Sequence, residues 1–139
     1  MSQWTRPEPD MPISEDTARA QVMLLLEGYD IDPATKSDPA EEALTDLLDK
    51  LAKYIRRGII EIDDKLNVTQ HRKSGPDVIY KKLTGAAVRA TDEAGDGKNY
   101  KKIFLLMSNM AGLPIEAFSQ LPGDELSVVE TLALIFLSR

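Results

Sequence analysis

Residues 38–62 have the sequence DPAEEALTDLLDKLAKYIRRGIIEI, which predicts a helix followed by a strand. Asp38 and Pro39 are typical of a helix start, and Glu41 follows Asp38 by three residues, as in a capping box. Apolar residues then recur at helical spacing, at Leu44, Leu47, Leu48, Leu51 and Ile55. Gly58 ends this helix, at about residues 39–57, and the alternation in residues 60–62 after it is typical of a strand.

The chain before this stretch predicts a second helix and a polar tail. Ser14 is a candidate N-cap for a helix over about residues 15–27, and Gly28 is a candidate C′ residue that stops it. The two helices would form a helical hairpin over residues 13–57. Residues 1–12 contain three prolines and few apolar side chains, so we expect a flexible tail that is disordered or lies along the surface. Trp4 is then either a residue of that tail or an aromatic anchor for a partner's groove.

The chain after Gly58 predicts a small sheet and then more helices. Two further strands are expected, from Leu66 to Gln70 and from Val78 to Tyr80. Helices are expected from Thr84 to about residue 94, from Tyr100 to a stop at Gly112, from Pro114 over a short stretch, and over about residues 123–137. The predicted fold is therefore mainly α with a small antiparallel β-sheet (α+β), and residues 58–139 are expected to share one domain with 13–57.

Composition restricts the classes of partner. The net charge is −6, which gives no electrostatic basis for general binding to nucleic acid and disfavours anionic membranes. The chain has no cysteine, so thiolate chemistry and Cys-based zinc sites are excluded. No signal peptide or membrane-spanning run is recognisable, and we expect a cytoplasmic location.

Residues that could carry chemistry are few and scattered. The single histidine, His71, is expected in a solvated loop, and one histidine without cysteine makes a nucleophile–base pair or a metal site hard to assemble. Asp63-Asp64 and the group at residues 92–96 are expected at turns, where aspartates are common for conformational reasons. We therefore predict no enzyme activity, no cofactor and no metal. A hydrolase that uses Asp63, Asp64 and Asp96 is the least favoured alternative.

The last predicted helix is apolar on nearly every side. From Leu126 to Leu137 only Ser127, Glu130 and Thr131 are polar, whereas a surface helix normally has one apolar stripe. Such a helix is either fully buried or in contact with a second chain. Under the second alternative the candidate contact residues are Leu126, Val129, Leu132, Leu134 and Phe136, with Met107 and Met110 as a second set. Ordinary core methionines are the alternative for that second set.

Two short stretches resemble Mu-like phage tail assembly chaperones. The first is Leu83-Thr84-Gly85 with the residues that follow it, and the second is Gly112-Leu113-Pro114 with the later Leu121-Pro122-Gly123-Asp124-Glu125-Leu126. The resemblance covers about residues 77–137. The two N-terminal helices depart from it, because those chaperones are usually shorter and begin with strands. The motif residues Leu83, Thr84, Gly85, Gly112, Leu113 and Pro114 are expected to have structural roles.

The resemblance implies a small cytoplasmic protein of phage or prophage origin. Such a protein coats the helical tape-measure protein during tail assembly and is absent from the finished tail. The predicted function is therefore non-enzymatic binding of an elongated helical client. The alternative is a structural tail or virion component that oligomerises into a ring or connector, and a homo-oligomer is compatible with either hypothesis.

Overall fold

In a computed structural model, which describes residues 11–85, 89 and 100–138, the chain is mainly helical with one small antiparallel sheet. This confirms the predicted α+β class. The helices are α1 (Glu15–Gly28), α2 (Asp38–Arg56), α3 (Tyr100–Ala111), α4 (Glu116–Ser119) and α5 (Gly123–Leu137), with a short 3-10 turn at Pro33–Thr35. The strands are β1 (Ile60–Ile62), β2 (Val68–Gln70) and β3 (Val78–Tyr80).

The two N-terminal helices begin close to where the sequence places them. Ser14 caps α1, because its Oγ accepts a hydrogen bond of 3.2 Å from the amide of Thr17. The predicted cap of α2 is off by one residue. Ser37 holds the N-cap position, without a capping hydrogen bond from its side chain, and Asp38 is the first helical residue. Both first turns carry acidic residues, which the positive end of the helix dipole stabilises.

Gly28 has a different role from the one predicted. It is the last residue of α1 rather than a left-handed stop, and Tyr29 follows it as C-cap. A Cβ at Gly28 would lie only 2.3 Å from Cδ1 of Leu66, in the turn between β1 and β2. Leu66 itself has a φ of 66°, which removes it from the predicted second strand. A residue with a Cβ at position 28 would therefore force the Leu66 side chain to shift, and glycine leaves room for it.

The sheet has the order β1-β2-β3, and both pairs are antiparallel. In the register, Ile60 is opposite Gln70, and Gln70 is opposite Val78. Side chains alternate between the two faces of the sheet, and one face packs against the core. Its buried side chains are Ile60, Ile62, Val68, Gln70, Val78 and Tyr80. The opposite face carries Glu61, Thr69 and Ile79 towards solvent.

One cluster of buried side chains includes residues of α1, α2, the sheet, α3 and α5. It therefore combines residues from 13–57 with residues from 58–139. α3 ends before Gly112, whose φ of 67° is the left-handed conformation that the predicted stop requires. The predicted helix at Pro114 begins two residues later, at Glu116, and α5 spans the predicted 123–137.

Several predictions fall on residues that lie outside the described ranges. They are Trp4 with the first ten residues, most of the helix expected over 84–94, and the turn carrying Asp92, Glu93 and Asp96. Among the helices that are described, none combines the length and the apolar character needed to cross a bilayer.

Candidate functional site

Most of the predicted contact residues belong to the protein's own core. Val129 and Leu132 have no exposed surface, Phe136 is 1% exposed, and Met107 and Met110 are also buried. α5 passes through the centre of the fold, with α2 and α3 packed against it. A helix apolar on nearly all sides is thus explained by burial, and these five side chains do not form a contact surface on the folded chain.

Two of the predicted contact residues remain accessible. Leu134 is 41% exposed and Leu126 is half-buried. Leu134 lies on the outward stripe of α5, one turn after Glu130. The carboxylate of Glu130 accepts a hydrogen bond of 3.3 Å from the hydroxyl of Tyr100, which is itself half exposed. Leu134, Glu130 and Tyr100 form a small mixed surface, which we call the α5 stripe.

The two motif stretches meet in space. The amide of Lys81 donates a 2.8 Å hydrogen bond to the carbonyl of Met110, which ties the chain after β3 to the end of α3. The amide of Leu83 donates a 2.8 Å hydrogen bond to the hydroxyl of Tyr29. A groove of about 230 Å³ lies at this junction, and its lining includes Lys81, Lys82, Thr84, Asn109 and Gly112.

The remaining motif residues differ in their burial. Leu83 and Leu113 are half-buried and pack against the core. The hydroxyl of Ser108 donates to the carbonyl of Leu113, which fastens the turn after α3. Gly85 and Pro114 are exposed. The junction of the two stretches therefore rests on a glycine turn and on backbone hydrogen bonds.

A polar cluster at the start of α5 was not predicted. Nε of Arg72 donates a 2.7 Å hydrogen bond to Oε1 of Glu125, whose side chain is 8% exposed. The hydroxyl of Ser74 donates to the same oxygen at 2.7 Å, and the Ser74 amide donates to Oε2 at 3.2 Å. These bonds hold the loop after β2 against the first turn of α5.

The hydrogen bond from Arg72 lowers the pKa of the Glu125 carboxyl below its ordinary value, although partial burial acts in the opposite direction. Below this pair, Nε2 of the buried Gln70 donates to the carbonyl of Glu125 at 3.2 Å. Oε1 of Gln70 accepts from the Tyr80 hydroxyl at 2.8 Å, and burial raises the pKa of that phenol. Each polar group named in this cluster therefore has a hydrogen-bond partner. The cluster holds β2 and the loop after it against the first turn of α5.

A cleft lies beside this cluster. It has a volume of about 620 Å³ and is bounded by the end of α2, the sheet and the first turns of α5. Its apolar walls include Tyr54, Ile59 and Val128, and its charged lining includes Arg57, Lys73 and Asp124. Within the described ranges neither Arg57 nor Lys73 forms an ion pair. We call this space the α2–α5 cleft.

Of the residues considered for chemistry, the structure describes His71, Asp63 and Asp64. His71 lies at the end of β2, with Nδ1 at 2.8 Å from Oδ2 of Asp77 and Nε2 at 3.5 Å from Oε1 of Glu61. Asp63 accepts hydrogen bonds of 2.9 Å from the amides of Lys65 and Asn67, which stabilise the turn and lower the pKa of its carboxyl, the Asn67 bond most strongly. In the part of the chain that is described, no three His, Cys, Asp or Glu side chains could hold a metal ion together.

Fold and site together define a helix-rich α+β protein with a cleft of apolar walls and both positive and negative side chains at one end of its central helix. Comparison of the chain with protein-family models, with curated protein sequences and with solved structures finds no match.

The sequence contained one signal for the missed polar cluster. Glu125 lies in the first turn of a helix whose sequence is mostly apolar, and a carboxylate that such a helix buries requires a partner. Arg72 and Ser74 are more than fifty residues away in the chain, and no local pattern identifies them as that partner.

Proposed function

We propose that the chain is a tail assembly chaperone of the Mu-like type, a non-enzymatic protein that acts in the host cytoplasm. Its client in this proposal is an elongated helical protein such as the tape-measure protein. The observation that carries the proposal is the meeting of the two motif stretches. Residues 83–85 and 112–114 resemble that family in sequence, and the Lys81–Met110 hydrogen bond joins the segments that contain them.

The α5 stripe is the surface that we assign to the client. Leu134 offers an exposed apolar side chain there, and Glu130 and Tyr100 flank it with polar groups. An amphipathic client helix presents the same combination of an apolar stripe with polar borders. Weak contact at each of many positions along a long client suits a chaperone that must later be released. The other predicted contact residues belong to the buried core: Val129, Leu132, Phe136, Met107 and Met110.

The proposal is tested by co-expression of the full chain with the tape-measure protein from the same gene cluster, followed by affinity purification of the client. We expect the two proteins to purify together. Leu134→Asp is expected to reduce the amount recovered, because a carboxylate replaces the exposed apolar contact. Leu132→Asp is unsuitable as a test, since Leu132 is fully buried and its loss would disrupt folding.

Met23→Asp is the matched control. Met23 is 51% exposed on α1, so the substitution makes the same chemical change outside the α5 stripe. The proposal fails if the proteins purify separately, or if both variants reduce recovery equally. Mass spectrometry of finished particles distinguishes the alternative of a structural tail or virion component, since such a component is retained and a chaperone is not.

A further inference from the structure

The last turn of α5 carries the exposed end of the α5 stripe. Leu134 begins this turn, and Ser138 follows the helix as its C-cap. The final carbonyl groups of a helix have no intrahelical donor and carry its negative partial charge, so they need partners from outside. The amide and the hydroxyl of Ser138 both donate to the carbonyl of Ile135, at 3.1 and 2.6 Å. α5 has no basic residue in its last turn, so a cation for this end must come from another element.

Lys36, in the connection between α1 and α2, supplies that cation. Its ammonium donates a 2.5 Å hydrogen bond to the carbonyl of Ser138, 102 residues further along the chain. Both residues are half-buried, so water competes only weakly for this bond. A cation at the negative end of a helix is also stabilised by the helix dipole. Lys36 therefore takes the place of the basic residue that the last turn of α5 lacks.

A short hydrogen-bonded turn orders the backbone of Lys36 before α2 begins. The amide of Ala34 donates a 3.0 Å hydrogen bond to the side chain of Asp32. The amide and the hydroxyl of Thr35 donate to the carbonyl of Asp32, at 3.1 and 2.8 Å. The amide of Lys36 itself donates to the carbonyl of Pro33 at 3.1 Å. Because these hydrogen bonds are local, Lys36 offers α5 an ordered attachment point.

A second contact joins the same connection to the end of α5. The ring of Tyr29, the C-cap of α1, lies edge-on to the ring of Phe136, with the centroids 5.5 Å apart. Phe136 is buried in the core. This aromatic contact holds the core side of the last turn, whereas Lys36 holds the carbonyl that follows it. Loss of Lys36 should therefore free the end of the last turn without removing α5 from the core.

We propose that Lys36 is a positioning residue for the α5 stripe, which keeps the last turn of α5 helical so that Leu134 and Glu130 form one continuous surface. The inference concerns the order of this surface in the free protein, and it rests on the proposed function only for the client that binds there. The charge is part of the effect, because a neutral apolar side chain neither donates a charge-assisted hydrogen bond nor compensates the dipole.

Hydrogen–deuterium exchange of the full chain tests this role without any client. Lys36→Met removes the charge and the donor but keeps a long unbranched side chain. We expect the amides of residues 135–138 to exchange about three- to tenfold faster, and the amides in the middle of α5 to keep their wild-type rates. Lys36→Arg is expected to restore the slow exchange, because it keeps both the charge and the donor.

Lys50→Met is the matched control. Lys50 is exposed on α2, and within the described residues its ammonium forms no hydrogen bond or ion pair. We expect this variant to exchange like the wild type. The proposal is overturned if Lys36→Met also exchanges like the wild type, if its faster exchange is spread evenly over α5, or if Lys36→Arg does not restore protection.

Co-purification with the tape-measure protein extends the test to the client. Lys36→Met is expected to lower the recovery of the client, and Lys36→Arg and Lys50→Met are expected to leave it at the wild-type level. Full recovery by a Lys36→Met chain whose last turn exchanges rapidly would break the link between Lys36 and the α5 stripe. A wild type that recovers no client counts against the proposed function, whereas the exchange rates still decide the role of Lys36.

Discussion

Nε of Arg72 lies 2.7 Å from Oε1 of Glu125, and this contact connects the loop after β2 to the first turn of the central helix, together with two hydrogen bonds from Ser74. Both side chains are largely buried, at 16% and 8% exposure. Removal of either partner leaves a poorly hydrated charge beside the core. We therefore expect Arg72→Ala to lower the free energy of unfolding by about 1–3 kcal/mol, measured by urea denaturation.

The exposed pair of Arg19 and Asp49 provides the control for this prediction. Their atoms lie 3.0 Å apart, but the side chains are 46% and 56% exposed. Arg19→Ala is expected to cost less than about 0.5 kcal/mol, because water screens the pair. Equal losses in the two variants would contradict the role assigned to the buried contact.

The same contact predicts a dependence of stability on pH. The pKa of Glu125 is lower in the folded chain than its ordinary value of 4.5, so the folded state favours the ionised carboxyl. The resulting stabilisation is complete above pH 4.5 and is lost as the pH falls through the lower folded pKa. Asp63 contributes in the same direction over a lower range, since its ordinary pKa is 3.8.

Glu125→Gln isolates this contribution. The variant is expected to be less stable than the wild type at neutral pH, and the difference is expected to shrink as the pH falls below 4.5. Urea denaturation of both chains at a series of pH values measures it. A difference that stays constant over the whole series would show that the ionised carboxyl is not the stabilising form.

The burial of α5 predicts opposite outcomes for two leucines that are two positions apart. Leu132 has no exposed surface, so Leu132→Ala should cost about 3 kcal/mol through lost apolar contacts and the cavity that remains. Leu134 is 41% exposed, and Leu134→Ala should cost less than about 1 kcal/mol. Thermal or urea unfolding measures both, and similar losses would mean that α5 is not placed as described.

The turn after α3 predicts a requirement for glycine. Gly112 has a φ of 67°, a conformation that costs a residue with a Cβ about 1–2 kcal/mol, so Gly112→Ala should destabilise the fold by that amount. Gly123 is the control, because it is the first residue of α5 and a Cβ there would meet no atom within 4 Å. Gly123→Ala should be neutral or slightly stabilising, and unfolding midpoints that change equally in both variants would contradict the argument.

Much of the secondary structure could be predicted from local patterns. The ends of α1, α2 and α5 and the positions of β1 and β3 all lie within two residues of the expected ones. These elements are determined by spacing and by caps, which are interactions between near neighbours. The predictions for Gly28 and Leu66 were wrong, and these two residues lie against each other where α1 meets the β1–β2 turn, a contact between distant parts of the chain.

The candidate site was predictable only in part. The apolar character of residues 126–137 identified an unusual helix, and the sequence left open whether the chain itself or a partner covers it. In the structure, five of the seven proposed contact residues are buried in the core, and Leu126 and Leu134 are accessible. The α2–α5 cleft was not predicted, because residues that line it come from α2, the sheet and α5.

The sequence by itself determined where most of the described helices and strands lie and that the last helix must be covered on most sides. Hydrophobic periodicity and the residues that begin or end a helix involve near neighbours in the sequence, so they can be recognised without knowledge of the fold. Only the tertiary structure decided what covers that helix, which partner satisfies Glu125, and where a cleft remains. Those outcomes depend on packing between segments that are separated in the chain, by more than fifty residues for Arg72 and Glu125, and no short-range pattern encodes which segments meet.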